Sequence, residues 1–187
     1  IITLPLFAGK CADNPNSSPF SPDITYNLRD TGPSGGLIFY DKGSYSNGWR
    51  YLEAWTCDET GSYEWKTSLA NTPGTLTSIG RGFANTYTYM LGTHHPAAEI
   101  VRNAIHGGYN DWFLPSKDEL NKMWVNLQSG TDEHNLNYTP VGSFASDNYW
   151  SSSEFMSSTS WMQRFTDGNQ FYNFKTDLRR VRAIRAF

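Results

Sequence analysis

The chain predicts an α+β fold with antiparallel strands and two or three helices. Three observations carry that prediction. A hairpin signal, Asn47-Gly48, lies in the first third; a capped amphipathic helix follows in the middle; four strand-like runs come after it. Strands grouped before and after the helices, rather than alternating with them, argue for antiparallel pairing and against βαβ units.

Taken in order, "IITLPLFAGKC" (1–11) reads as a first strand or as the tail of an export segment. "CADNPNSSPFSPD" (11–23) holds three prolines among Ser and Asn and reads as an extended arm. Residues 1–30 are thus expected to form an arm or first strand, and 31–187 a single domain. "TGPSGG" (31–36) is a turn that launches the buried strand "LIFYDKG", and Asn47-Gly48 folds it back as a hairpin of 36–42 with 49–55. Residues 57–82 are polar and glycine-dotted, without a clear period.

Helices come next. "GFANTYTYMLGT" predicts a helix ending at Gly92, and "PAAEIVRNAIHGG" one that starts at Pro96 and stops at Gly107. In "WFLPSKDELNKMWVNLQSG", Ser116 and Glu119 form a capping box, where hydroxyl and carboxylate satisfy two free N–H groups. Leu120, Met123, Trp124 and Leu127 then follow the stripe of a core-facing helix. After a loop over 129–145, "NYWSSSE", "SWMQRFT", "QFYNFKT" and "RRVRAIRAF" read as strands.

Composition narrows the function classes. Aromatic residues make up 16% of the chain, which excludes general disorder. A net charge of −3 provides no basis for nucleic-acid affinity. No run approaches the ~20 apolar residues of a membrane span. Cys11 and Cys57 could pair, but two cysteines do not fix the redox compartment.

Catalytic signatures are missing: there is no G-x-S-x-G, H-E-x-x-H, phosphate-cradling or dinucleotide motif. His94 and His95 are adjacent and point apart, while His106 and His134 lack a ligand at metal-binding spacing. Asp58-Glu59 and Asp132-Glu133 read as solvated loop pairs, and neither cysteine has a base motif beside it. The expectation is a binding module, not an enzyme, with no cofactor and no metal.

One stretch resists a simple reading. "WMQRFTDGNQFYNFKTD" (161–177) looks like two strands around Asp167-Gly168, yet it is apolar on both faces. A surface strand ordinarily buries one face only. "FYNF" is either a core strand covered on both sides or an exposed aromatic patch.

Three segments carry a resemblance to a known family: "GPSGGLIFYDKGSYSNGWRYLEAW", "GGYNDWFLPSKDELNKMWVNL" and "NYWSSSE…RRVRAIRAF". Over 31–187 the chain resembles the bacterial DUF1566 (Lcl C-terminal) domains, which are similar to C-type-lectin folds of the formylglycine-generating-enzyme subclass. Within that group it is similar to the variable proteins of diversity-generating retroelements of the Treponema surface-protein type. The resemblance implies a C-terminal variable region, about 147–179, in which adenine-directed mutagenesis rewrites a binding face on a constant frame.

Laid on this sequence, the implied frame is Tyr149, Trp150, Ser151, Ser152, Ser153, Glu154, Trp161, Gln163, Phe165, Gly168, Gln170, Lys175, Arg180–Arg185 and Phe187. The implied ligand-contacting set is Phe155, Met156, Ser158, Thr159, Met162, Arg164, Thr166, Phe171, Tyr172, Phe174, Thr176, Asp177, Leu178 and Arg179. By strand parity Trp161, Gln163 and Phe165 would face the core, and Met162, Arg164 and Thr166 the solvent. The partner implied is a protein on another cell or surface, with no nucleic acid and no membrane span. The location implied is extracellular, at a cell surface (by a lipid anchor in the full-length precursor) or on a virion.

Two departures limit the resemblance. The calcium-binding Glu-Pro-Asn or Gln-Pro-Asp and Trp-Asn-Asp turns of sugar-binding lectins are missing, and the last cysteine is Cys57, so formylglycine-generating chemistry is not implied. The rival expectation is an adhesin that binds acidic polysaccharide through Arg164, Lys175, Arg179 and Arg185. "RRVRAIR" also has a structural reading, with Arg180 and Arg182 paired to carboxylates such as Glu154.

Overall fold

A computed structural model describes residues 24–187; the expected arm over 11–23 and Cys11 lie outside them. Cys57 is disulfide-bonded. The expected hairpin forms as β1 (Leu37–Ser46) and β2 (Trp49–Ala54). Ser46 pairs with Trp49, so Asn47-Gly48 is a two-residue turn, with φ of 53° and 84° at the two positions. Both angles are positive, as a type I′ turn demands, and Asn-Gly meets that demand at the lowest steric cost.

The chain then runs through β3 (Tyr63–Glu64) and into a short helix, α1 (Gly82–Ala84), which widens to a π turn over Asn85–Tyr89. The expected helix to Gly92 therefore stops early. Arg102 draws off the carbonyls of Thr86, Met90 and Gly92 that a longer helix would have used. Next, α2 (Pro96–Arg102) also ends sooner than the expected Gly107. Beyond Asn103 tertiary contacts win: the Trp112 indole donates to the carbonyls of His106 and Tyr109, and His106 bonds Glu59.

Helix α3 (Lys117–Leu127) forms as expected. The Glu119 amide donates to Ser116 Oγ, and Glu119 Oε2 accepts from the Ser116 amide at 2.7 Å. Five strands complete the chain: β4 (Asn148–Met156), β5 (Thr159–Arg164), β6 (Gln170–Phe174), β7 (Leu178–Arg179) and β8 (Ile184–Ala186). The three sheets, ordered β1-β2-β8, β3-β7 and β4-β5-β6, are antiparallel, and a single parallel bridge ties Tyr149 of β4 to Arg180. The α+β class with antiparallel sheets is therefore the observed one. Among the described residues no helix is long and apolar enough to cross a membrane.

Two cores lie on either side of the β4–β5–β6 sheet. One is built from Phe39, Leu52, Phe113, Ile184 and the α3 stripe of Leu120, Met123 and Leu127, joined by Tyr149 and Phe165. The other gathers Trp55, Trp65, Trp112 and Val181 around Trp150 and Met162. Successive residues of one strand point to opposite faces, so Tyr149 enters the first core and Trp150 the second. Buried indoles need a partner for their N–H. Trp65 donates to Ser151 O and Trp150 to Tyr63 O, each at 2.8 Å.

Two of the four arginines in the C-terminal run, Arg180 and Arg182, hold these layers together. Arg182, fully buried, donates to Asp58 Oδ1 from Nε at 2.9 Å and Nη2 at 2.6 Å, and to the carbonyls of Trp55 and Gly142. Arg180 bonds Asp147 and reaches Asp58, which also accepts from the Tyr149 hydroxyl. The structural reading of these arginines holds, but the partner is Asp58, not Glu154. Nor are the two acidic pairs solvated, as expected: Glu59 and Asp132 are buried, engaged by His106 and Arg29 respectively.

Candidate functional site

The sheet β4–β5–β6 explains why 161–177 is apolar on both faces. On the side of the tryptophan core, Met162 pairs with Trp150 and Phe171 across the strands and is only 2% exposed. The expectation that Met162 faces solvent is therefore corrected. The sheet is a partition between two cores, so strand parity alone does not select the wet side. Thr159, also in the expected contact set, is buried too. Phe171 is half-buried against the tryptophan core.

On the opposite side α3 covers the strand only in part. Gln163 Nε2 donates to Asn121 Oδ1 at 2.9 Å, the Trp124 indole donates to Phe165 O, and Gln170 Nε2 donates to Lys117 O. The helix begins at Lys117, whose ammonium lies 4.8 Å from the centre of the Trp161 ring. Past that point nothing among the described residues continues the helix over the sheet. Trp161, expected to face the core, is accordingly half-buried.

An open aromatic cluster results. Phe155 stacks on Tyr172 with ring centres 4.1 Å apart, and Trp161 meets both edge-on. Tyr172 is 51% exposed, Phe174 53% and Met156 59%. Of the expected contact set, Phe155, Met156, Tyr172 and Phe174 come together here. Trp161 and Lys117 join them and were missed; the available signal was that Trp161 shares its parity with Gln163 while the helix stripe ends before it.

The other expected residues lie elsewhere. Arg164 and Thr166 flank the β5–β6 turn, where Arg164 is paired with Asp167. That pairing and the Asn169 amide hold the Asp167 carboxyl down to about 2. Thr176, Asp177, Leu178 and Arg179 follow β6 into the β3–β7 ribbon, with Arg179 paired to Asp177. Ser158 is half-buried in the β4–β5 turn.

The four basic residues expected to hold an anion are each paired with a carboxylate of the chain itself. Lys175 is fully buried against Glu154, and Arg185 is buried between Glu53 and Asp111 at 3.0 and 2.5 Å. The expected role of Lys175 in holding polysaccharide is corrected, because its ammonium is sealed from solvent. Arg164 and Arg179 spend their charge on neighbouring aspartates.

No group of three or more potential metal ligands occurs among the described residues. His95 is buried beside Trp65, with Nδ1 3.2 Å from Leu91 O and Nε2 3.1 Å from Thr72 Oγ1. A carbonyl only accepts, so Nδ1 carries the proton and Nε2 accepts from the Thr72 hydroxyl. Burial pushes its pKa down to about 4, helped by Lys66, Arg102 and Lys175. A cleft of about 290 Å³ between the β1–β2 turn and α1, lined by Trp49, Leu52, Phe83 and Phe113, contains none of the expected contact residues.

A search of curated proteins finds no match. The family model of the Lcl C-terminal domain matches residues 49–185, from β2 through the open aromatic cluster to β8. The chain belongs to the Lcl C-terminal domain family.

Proposed function

We propose that this chain is a ligand-display protein: a C-type-lectin-like body of the formylglycine-generating-enzyme subclass whose C-terminal strands are diversified by a retroelement to bind varied protein ligands at a cell or virion surface. One observation carries the reading. Frame positions Tyr149–Ser153, Gln163, Phe165, Lys175 and Val181–Arg185 are buried, while Met156, Tyr172 and Phe174, threaded between them, are more than half exposed. Such a division lets side chains change without changing the fold.

The chemistry of the exposed set suits protein recognition. Aromatic side chains offer large contact area with few rotatable bonds, Met adapts its shape to a partner, and both are enriched at protein interfaces. Exposed apolar clusters on monomeric domains mark interaction surfaces. Met162 and Thr159 do not belong to the proposed contact set, since their replacement would disturb the core. Arg164, Thr166 and Thr176 form its polar edge.

The locus provides the test. A near-copy of the segment encoding 147–179 is expected beside the gene, with a reverse transcriptase, differing from the gene only where the copy has adenine. Differences should fall at codons such as those of Tyr172 and Phe174 and spare those of Trp150 and Lys175. Absence of a copy, or differences scattered without regard to adenine, would refute diversification.

A further inference from the structure

Resting on that reading, we propose that Lys175 is the positioning residue of the display face. Its buried ammonium fastens the loop 66–75 to the β4–β5 turn and the end of β6, and makes that loop a constant margin of the binding surface.

Lys175 is 0% exposed, and its ammonium has three donors for three acceptors. These are the Glu154 carboxylate at the end of β4, Ala70 O at 3.0 Å in the loop and Ser157 O at 2.7 Å in the turn. Its backbone joins the same three segments, donating to Ser158 O and accepting from the Lys66 amide, both at 3.1 Å. Glu154 strengthens the joint from the other side. Its carboxylate accepts from the Thr72 amide at 2.7 Å, and its own amide donates to Thr75 Oγ1 at 2.9 Å. Three open-face side chains lie next to the joint in sequence: Phe155 and Met156 follow Glu154, and Phe174 precedes Lys175. Leu69, the residue before Ala70 in the fastened loop, is exposed.

A buried ion pair is a poor device for stability alone, because apolar side chains of similar volume do as well or better. What an ammonium adds is direction. Three fixed acceptors on three segments leave one arrangement of loop, turn and strand, and a surface already arranged loses less freedom on binding. A methionine at 175 would fill the space next to the Trp65 ring, 4.9 Å from the ammonium, without fixing the loop.

The test uses the full chain and two synthetic antibody fragments selected on it. One is mapped to the face by its loss of binding to Tyr172→Ser; the other, a control, binds the β1–β2 hairpin. In Lys175→Met, amide exchange over 66–76 and 155–158 should rise about tenfold or more while the rest of the sheet stays protected. The face fragment should bind about tenfold more weakly, as the competent arrangement becomes a minor one. The control fragment should be unaffected. Glu154→Gln, which keeps shape but removes the charge, should give the same pattern more weakly and decides the matter if Lys175→Met does not fold. Unchanged exchange and binding in a folded variant, or exchange rising uniformly through the sheet, would overturn the proposal. If Tyr172 and Phe174 prove to be core by their stability cost, the display reading falls on its own, and the exchange data still judge Lys175.

Discussion

The two sides of the β4–β5–β6 sheet are made of the same kinds of residue and end differently. On one, Trp150 and Met162 meet Trp55, Trp65, Trp112 and Val181 and are sealed, with Phe171 half-buried at their margin. On the other, Phe155, Trp161 and Tyr172 pack against each other beside Lys117, the first residue of α3, and Tyr172 stays half exposed. Aromatic chemistry does not decide which side is core. What decides is whether another element is long enough to cover it, and α3, beginning at Lys117, is not.

The severest way to break this comparison is at its anchor. Asp58→Ala would strand the buried Arg182 guanidinium and release the Tyr149 hydroxyl. Removing one partner of a buried ion pair costs about 3–5 kcal/mol. Urea unfolding should report a loss of that size; a loss under about 1 kcal/mol would mean Arg182 finds other acceptors.

Next comes the sealed side itself. Met162→Ala should cost about 2–5 kcal/mol, as expected for a truncated core methionine, and the midpoint of chemical denaturation measures it. A near-neutral result would contradict its burial between Trp150 and Phe171.

The two sides should also respond to pH in opposite senses. His95, beside Trp65, has its folded pKa lowered to about 4 from 6.5, so the unfolded chain takes up the proton first as pH falls. Stability is lost from about pH 6.5 down to 4, by about 3 kcal/mol in all. Glu119, in the α3 cap, is raised to about 7 from 4.5 by burial, although the amides of Ser116, Gly80 and Gly82 favour its charged form. Here the folded state holds the proton more tightly, so stability is lost as pH rises from about 4.5 to 7. The two slopes oppose each other. His95→Gln should therefore gain about 3 kcal/mol on the wild type between pH 7 and pH 4, read as the difference of two denaturation series. Parallel series would show that His95 titrates normally.

Legibility in the sequence followed the locality of each signal. The Asn47-Gly48 turn and the Ser116–Glu119 box are written within four residues and appear where expected. The helix lengths after Gly82 and Pro96 were misread because Arg102, distant carbonyls and Trp112 determine where those helices stop. Of the implied frame, Tyr149, Gln163 and Lys175 are buried, whereas Glu154, Trp161, Gln170 and Arg180 are half-buried. Met162 is buried and Trp161 stays half-exposed on its expected side, because alternation states only that neighbours point apart. Which face meets a second core depends on chain more than ten residues away, at Trp65, Trp112 and Lys117. The acidic residue Asp58 was illegible for the same reason: its partners Arg180 and Arg182 lie over a hundred residues downstream.

The most direct measurement is the stability of Tyr172→Ser/Phe174→Ser beside Met162→Ala in one urea series. A water-facing set predicts a change within about 1 kcal/mol for the double variant, as for surface substitutions generally, against the several lost at Met162. If the double variant falls as far as Met162→Ala, Tyr172 and Phe174 are interior residues and the chain has no display face.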